Sequence, residues 1–442
     1  MLYGGRDMSH ILFKKEIEVR HEVDVLIVGG GPAGIAAAVA AARQGAKVFL
    51  AEATSCLGGM GTSGLVPAFM QFTDGENFLA AGVGEEVLNK MWEYGGKVEG
   101  WGYSIKVEAL KRVYDDMLTE AGVQFAFHTQ MIAVDATDGN INYVVFAAKS
   151  GLFAVKAKIY IDGTGDGDLA TWAGAVYEKG DTNGNMMAGT LCSLWANIDW
   201  DRVQKPDTRK LEEGFRDGVF TYEDRHLPGM WRVGNTLGGG NIGHTFGVDS
   251  TDERSLTKAL IWGRKSLLEY EKYYKEYLDG FENMELVVTG ALLGIRESRR
   301  IIGDYVLVLD DFLKRATFDD EIGRYAYPVD IHASDPSKES FAKFEKEHTG
   351  YRYGKGESYG IPYRILTPKG LNNVLVAGRC VSTDRYMQSS IRVMPGCYIT
   401  GQAAGVAAAI AAEKNTDIRG FEVKELQQRL KDMGAYLPNF KA

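Results

Sequence analysis

The sequence has only four cysteines in 442 residues, Cys56, Cys192, Cys380 and Cys397, and they lie far apart. No C-x-x-C pair occurs, and no ferredoxin-type or zinc-type spacing. No disulfide framework, iron–sulfur cluster or metal site is therefore expected. Cys56 and Cys380 each lack a neighbouring thiol, which disfavours a dithiol relay. Positive charge is also in short supply: 50 Lys and Arg face 59 Asp and Glu, a net charge of −9. That balance argues against a nucleic-acid partner or an anionic membrane surface. Long apolar runs are missing as well. "GIAAAVAAA" and "GQAAGVAAAIAAE" are rich in Ala and Gly and fall short of the roughly 20 apolar residues that span a bilayer, so they read as helices packed against a sheet. The opening "MLYGGRDMSHILFKKEIEVRHE" has no continuous apolar core of the kind a signal peptide needs. Export is not expected, and a reduced, cytoplasmic protein is.

What is present begins with "VDVLIVGGGPAGIAAAVAAARQGAKVFLAEA". Residues 23–28 form an apolar run suited to a buried parallel strand, 33–43 an Ala-rich helix and 47–51 a second apolar strand. Gly29 permits a tight turn, Gly31 lets a pyrophosphate approach the backbone, and Gly34 lets helix and strand pack closely. Pro32 and Ala33 open the helix between them, so bound phosphates meet its positive end. Glu52 ends the second strand about 20 residues after the glycines, where a carboxylate can accept from ribose hydroxyls. Strand, helix, strand and acid in this order predict a dinucleotide site.

A second G-x-G-x-x-G match, "TLGGGNIGH" (236–244), lacks that context: no buried strand precedes it, no small-residue helix follows, and no acid closes a second strand. It is expected to be a flexible loop of a substrate region that holds His244 toward the cofactor. No nicotinamide site is expected on this chain.

The segment "EATSCLGGMGTSGL" crowds glycine and hydroxyl residues after Glu52, and here the sequence resembles the two-domain FAD oxidoreductases, the broad group with glutathione reductase and fumarate reductase folds. The resemblance implies non-covalently bound FAD, with Gly58, Gly59 and Thr62 on a loop reaching the flavin. It places Thr164, Gly165 and Asp166 of "AKIYIDGTGDGDLA" against the cofactor through their backbone, and Met131 near its adenine end on a small β-meander. In "LNNVLVAGRCVSTDRYMQSSIRVMPGCYITGQAAGVAAAIAAE", an apolar strand (374–377) ends in Gly378 and Arg379, and Pro395 opens a long helix. Its positive end would face a reduced flavin, with Met394 and Gly396 in contact. "GIRESRRIIGDY", "YPVDIH", "IPYRILTPKGLNNVLVAGR" and "MPGCYITGQAAGVAAA" narrow the resemblance to the FAD-dependent oxidoreductase family, over about residues 22–415, related to the flavin domain of heterodisulfide reductase. The dense cysteine motifs of that reductase are absent here.

The expected fold is α/β: a Rossmann-like FAD-binding domain, with a parallel sheet and a β-meander, plus an inserted α+β substrate domain. The boundaries read as an N-terminal arm (1–22), FAD domain (23–175), insertion (176–365) and FAD domain again (366–442). Within the insertion, "TDERSLTKALIWGRKSLLEYEKYYKEYLDGF" predicts a long helix capped by Thr or Asp, its aromatic stripe facing a core.

Seven histidines are available. His10 and His21 fall in the arm, and His128, His226 and His348 have no supporting neighbours in sequence. That leaves His244 and His332, of which His244 is the expected acid/base, since an imidazole titrates near neutrality. Arg296 and Arg379 are expected to orient a substrate through their planar guanidinium groups, with His332 and Arg392 as weaker candidates. Arg296, Arg299 and Arg300 would otherwise form structural pairs with Glu297 and Asp304. The leading expectation is hydride transfer between flavin N5 and a small polar metabolite, a sugar, sugar acid or other carboxylate, with an unassigned electron acceptor and the possibility of a homo-oligomer. The alternatives are a redox-neutral flavin lyase or isomerase and a non-catalytic flavoprotein that only transfers electrons within a larger complex.

Overall fold

The apolar runs at the start of the chain become neighbouring buried strands. In the computed structural model, which describes residues 11–204, 208–224, 228–348 and 350–441, the first part of the chain forms β1 (Val19–Val28), α1 (Pro32–Arg43), β2 (Val48–Ala51), α2 (Val83–Met91), α3 (Val107–Glu120), β3 (Gln124–Ala126), β4 (Gln130–Thr137), β5 (Asn140–Ala148) and β6 (Gly151–Asp162). His10, His226 and the first ten residues of the arm lie outside the described residues. The middle supplies α4 (Asp168–Trp172), β7 (Tyr177–Lys179), β8 (Ser193–Ala196), α5 (Thr208–Arg216), β9 (Pro228–Arg232), β10 (Gly238–Ile242), α6 (Glu253–Tyr277), β11 (Glu285–Thr289), β12 (Arg299–Ile301), α7 (Leu309–Lys314), β13 (Glu321–Tyr325), α8 (Lys338–His348) and β14 (Tyr359–Pro362). The chain closes with β15 (Val374–Val376), α9 (Arg385–Ile391), α10 (Met394–Lys414) and α11 (Val423–Asp432).

The fold is mixed α/β around a seven-stranded sheet ordered β3-β2-β1-β6-β5-β4, with β15 added against β6. β3, β2, β1, β6 and β15 run parallel, and β5 and β4 return antiparallel as the meander. β6 joins the two regimes: its first half pairs with β5, while its second half, flanked by β1 and β15, carries the chain to the cofactor loops. β1 begins at Val19, inside the segment read as an arm, because His21 stacks on Phe49 of β2.

α10 explains the long Ala- and Gly-rich stretch. Every residue from Met394 to Ala412 is buried, as expected of a helix that is apolar all round. Two glycines four residues apart share one face and admit α1. A Cβ at Gly401 would lie 2.2 Å from the Ala33 carbonyl oxygen, and one at Gly405 2.2 Å from that of Ala37. No single helix among the described residues is long and apolar enough to cross a membrane.

A second, antiparallel sheet, ordered β11-β8-β10-β9, carries its own apolar cluster from Trp195 to Met284. Asp252 caps α6 by accepting the Arg254 amide (2.8 Å), and Tyr270, Tyr273 and Tyr274 of that helix are buried in this cluster. Between Ile301 and Ile365 the buried apolar residues other than Ala333 and Phe341 belong to the main core.

The glycines of "TLGGGNIGH" do not form a flexible loop. Gly238, Gly239 and Gly240 lie on β10, paired on both sides with β8 and β9. A Cβ would meet Ile198 Cδ1 at 2.4 Å from Gly238, Pro67 Cβ at 2.4 Å from Gly239, and Ser193 Oγ at 2.7 Å from Gly240. Glycine in a strand interior marks such close approach. At Gly239 the absent side chain lets the second sheet press on the segment that follows the first cofactor loop.

Candidate active site

β1, α1 and the Gly163 turn meet at one point. Gly29 (φ +94°) donates its amide to the Ala51 carbonyl at 2.9 Å, and its own carbonyl lies where a Cβ of Gly34 would be, 1.9 Å away. Gly29 and Gly34 thus bring strand, turn and helix into contact. At Gly31 a Cβ would find only the Gly163 carbonyl, at 3.9 Å, so this side of the backbone is open to a ligand. α1 has no side-chain cap at Gly31, which leaves first-turn amides of the helix free for an anion. Glu52, 7% exposed, accepts the Gly30 amide through Oε2 and the Thr54 amide through Oε1, both at 2.7 Å. It braces the glycine turn while keeping lone pairs for ribose hydroxyls.

These segments open into a continuous cavity of about 710 Å³, within the range of cofactor clefts. Of the residues expected to bind the cofactor, Gly29, Gly31, Pro32, Ala33, Glu52, Gly59, Met131, Thr164, Gly165, Asp166, Gly378 and Met394 line it. Gly34, Gly58, Thr62 and Gly396 do not; they shape the wall from behind. Gly58 (φ +104°) leaves room for the Thr62 side chain, whose hydroxyl donates to the Leu57 carbonyl at 2.5 Å. Gly396 clears the Ile391 carbonyl, to which its Cβ would come within 2.3 Å. Sequence reasoning missed Thr54, Thr129 and Gln130, which also line the cavity. They sit beside Glu52 and Met131 in sequence, which was the available signal. An extended dinucleotide fits this arrangement: an unfilled glycine edge, free helix amides and a buried acid follow one another along one channel.

The same cavity gathers most of the residues expected to do chemistry. Arg296 and His332 line it, together with Thr190, Asn241, Asp330 and Arg392. Arg296, 6% exposed, donates through Nη1 to the Ala188 carbonyl (2.9 Å) and Thr190 Oγ1 (2.8 Å), and through Nη2 to Asn241 Oδ1 (3.3 Å). Burial, reinforced by the positive charge of Arg392, pushes its pKa down to about 10. It stays cationic at neutral pH with three neutral acceptors. Arg379 also lines the cavity, but its guanidinium is taken by Asp166 (2.6 Å), the Gly165 carbonyl (3.0 Å) and the Ile295 carbonyl (3.1 Å). Of the other two arginines, Arg300 pairs with Glu297 (2.7 Å) as expected, whereas Arg299 pairs with Asp168 (2.6 Å), and Asp304 instead meets Arg419 (2.7 Å).

The two candidate histidines, 88 residues apart in sequence, touch: His244 Nε2 and His332 Nδ1 are 2.9 Å apart. His332 faces the cavity and His244 does not. Behind His244 stands Asp224, with Oδ2 2.8 Å from Nδ1. Asp330 lies in front of His332, with Oδ1 3.5 Å from Nε2, and its Oδ2 accepts from Arg392 at 3.0 Å. Burial opposes ionisation of Asp330, but His332, Arg392 and Arg296 overcome it and hold its carboxyl well below the usual range. Burial lowers the pKa of His244 despite Asp224. Asp330 stood two residues before His332 in "YPVDIH", a readable signal; Asp224 had none.

Among solved structures the chain is similar to a geranylgeranyl bacteriochlorophyll reductase-like protein from Thermoplasma acidophilum (14% identity, 94% of this chain and 84% of that one, TM-score 0.47). It is also similar to p-nitrophenol 4-monooxygenase from Pseudomonas putida DLL-E4 (13% identity, 93% and 84%, TM-score 0.43) and to a flavin-dependent brominase (10% identity, 93% and 83%, TM-score 0.44). The model of the FAD dependent oxidoreductase family matches residues 24–430, nearly the whole chain, and the protein belongs to that family of flavin-dependent enzymes.

Proposed function

We propose that the enzyme carries out oxidation, or the reverse reduction, of a small polar metabolite bearing a carboxylate, such as a sugar acid, in the part of the cavity bounded by Arg296, Asn241, Thr190 and His332. The observation that carries this reading is Arg296: a buried guanidinium lining the cavity, none of whose three hydrogen-bond acceptors is a carboxylate. A buried cation without a bonded anion is costly. A carboxylate oriented by Asn241 and Thr190 would offset that cost through charge-assisted hydrogen bonds.

FAD, held along Gly31, Glu52, Gly165 and Met394, supplies the hydride acceptor or donor. The chain supplies orientation and proton handling. His332 takes the role that the sequence suggested for His244: its imidazole, which lines the cavity beside Asp330, exchanges a proton with the substrate hydroxyl. The ionised Asp330 steadies the imidazolium so formed. Arg379 holds Asp166 and the Gly165 carbonyl in place and does not bind substrate.

The test is an anaerobic screen of hydroxy-carboxylates and neutral sugars, read as bleaching of the flavin absorbance. Carboxylates are expected to bleach it. Arg296→Met is expected to lower kcat/KM roughly ten- to a hundred-fold, the loss of about 1.5–3 kcal/mol of charge-assisted bonding. Full-rate bleaching of that variant, or bleaching by neutral sugars alone, removes the reading.

A further inference from the structure

A second cavity, of about 590 Å³, lies beside the first and shares only His332 with it among their described lining residues. Its walls come from the turn after β7 (Thr182), from β12 (Arg300), from α8 and the segment before it (Ser334, Ser340, Lys343) and from the start of α9 (Arg385).

The two arginines share one buried acid. Arg300 donates through Nη1 to Glu297 Oε1 (2.7 Å), and Arg385 donates through Nε to Glu297 Oε2 (3.0 Å), which also accepts the Met187 amide (2.9 Å). Arg300 Nη2 donates to the Gly180 carbonyl (3.0 Å). Arg300 Nε and Arg385 Nη2 are then left, both buried, with no hydrogen-bond acceptor among the described residues. Arg300 is only 4% exposed, and a buried guanidinium N–H without an acceptor is destabilising.

Of the other charged residues on the wall, Lys179 is held by Asp249 (2.5 Å), Asp181 accepts the Asn183 and Asn185 amides (both 2.9 Å), and Asp384 accepts the Met387 and Leu309 amides (both 2.8 Å). These acids are turned to backbone donors. Glu178 comes no nearer than 3.5 Å to Arg300 Nη2, and its side chain is mostly exposed, so solvent screens the pair. Lys343 adds a further positive charge to the wall.

We propose that the second cavity binds the phosphate group of a small polar metabolite, gripped by Arg300 and Arg385, with Lys343 as a further cation and the hydroxyls of Thr182, Ser334 and Ser340 as neutral donors. A phosphate carries close to two negative charges and three strong acceptor oxygens. It therefore serves donors from two guanidinium groups at once, whereas a carboxylate brings one charge and two oxygens. The cavity also has room for the hydroxylated body of such a molecule, beside Asn183 and the three hydroxyl residues. The ligand is held and no bond is made or broken. The assignment does not rest on the substrate proposed beside Arg296.

The experiment is isothermal titration calorimetry of the FAD-loaded enzyme with inorganic phosphate, glycerol phosphate and glycerol. Both phosphate compounds are expected to bind and glycerol is not. Arg385→Gln should weaken phosphate binding roughly ten- to a hundred-fold through the loss of charge-assisted hydrogen bonds. Ser340→Trp, which fills the cavity, should weaken it on the order of tenfold or more, and Arg296→Met in the main cavity should leave it unchanged. Equal affinities for the two phosphate compounds assign the site to the free anion, and tighter binding of glycerol phosphate assigns it to a phosphorylated metabolite; either supports the proposal. Retention of flavin absorbance shows that each variant is folded; if Arg385→Gln fails this check, Ser340→Trp, which leaves both arginines and Glu297 in place, decides. The proposal is overturned if neither phosphate compound binds, if glycerol binds as tightly as glycerol phosphate, or if binding survives in the folded wall variants. Loss of binding in Arg296→Met alone also overturns it, because the phosphate then sits in the main cavity. Failure of the functional reading is separable: Arg296→Met that binds phosphate normally and still bleaches at the full rate refutes that reading and leaves the second site standing.

Discussion

Glu52→Gln separates the two tasks of the acid at the end of β2. In the structure its two carboxylate oxygens accept the Gly30 and Thr54 amides, both at 2.7 Å, and the side chain is almost wholly buried. Glutamine keeps the shape but offers one acceptor oxygen. Its NH2 must face the other backbone N–H, donor against donor. The cost combines a lost charge-assisted bond, about 1.5–3 kcal/mol, with a buried amide left unpaired, and about 3 kcal/mol is expected in total. Because Gly30 and Thr54 flank the cofactor channel, the loss should appear in the apoprotein as a lower urea midpoint by circular dichroism. It should also appear as a roughly tenfold or greater rise in the FAD dissociation constant by fluorescence titration, since about 1.4 kcal/mol corresponds to a factor of ten. Weakened FAD binding with an unchanged apoprotein midpoint would refute the reasoning. The carboxylate would then serve the ribose alone, and its backbone bonds would not hold the turn.

Two further outcomes follow from packing and burial. Gly405→Ala, which in an exposed helix would stabilise by up to about 1 kcal/mol, should here destabilise by about 1–3 kcal/mol or more, because the new Cβ would sit 2.2 Å from the Ala37 carbonyl oxygen; an unchanged or raised urea midpoint would contradict the close α1–α10 contact. Burial raises the Asp162 carboxyl from its ordinary 3.8 to about 6, although the Ala170 amide and Thr164 donate to it. Its folded-state pKa lies above the unfolded one, so its contribution to stability is complete below about pH 3.8 and lost as pH rises through about 6. Carboxyl ¹³C NMR should give a midpoint near 6, and a midpoint below 4 would show that the hydrogen bonds outweigh desolvation.

The glycine turn and the acid beside it were legible in the sequence because their requirements are written in the backbone. Gly29, Gly31 and Gly34 have to be glycine for strand, turn and helix to meet, and Glu52 follows within the same βαβ unit. The C-terminal helix was legible for a similar reason: Pro395 opens it, and small residues let it press on α1. Composition misled at Gly238–Gly240. Three glycines in a row suggest a mobile loop, yet the missing side chains make space for Ile198, Pro67 and Ser193 around a paired strand. Only knowledge of the facing layers distinguishes the two cases.

By itself the sequence determined a dinucleotide-binding α/β chain, the order of its glycine turns and the acid that braces them, because those requirements are local and each is met within some thirty residues of the βαβ unit. Tertiary structure alone decided which of the candidate side chains meet at the cavity. It set His332, not His244, at the surface of the cavity, placed Asp224 behind the pair, left Arg296 with neutral partners and consumed Arg379 on Asp166. The physical reason is that a side chain's protonation, charge pairing and access depend on groups brought together from distant parts of the chain, 88 residues for the two histidines and 213 for Arg379 and Asp166, and no local spacing encodes them.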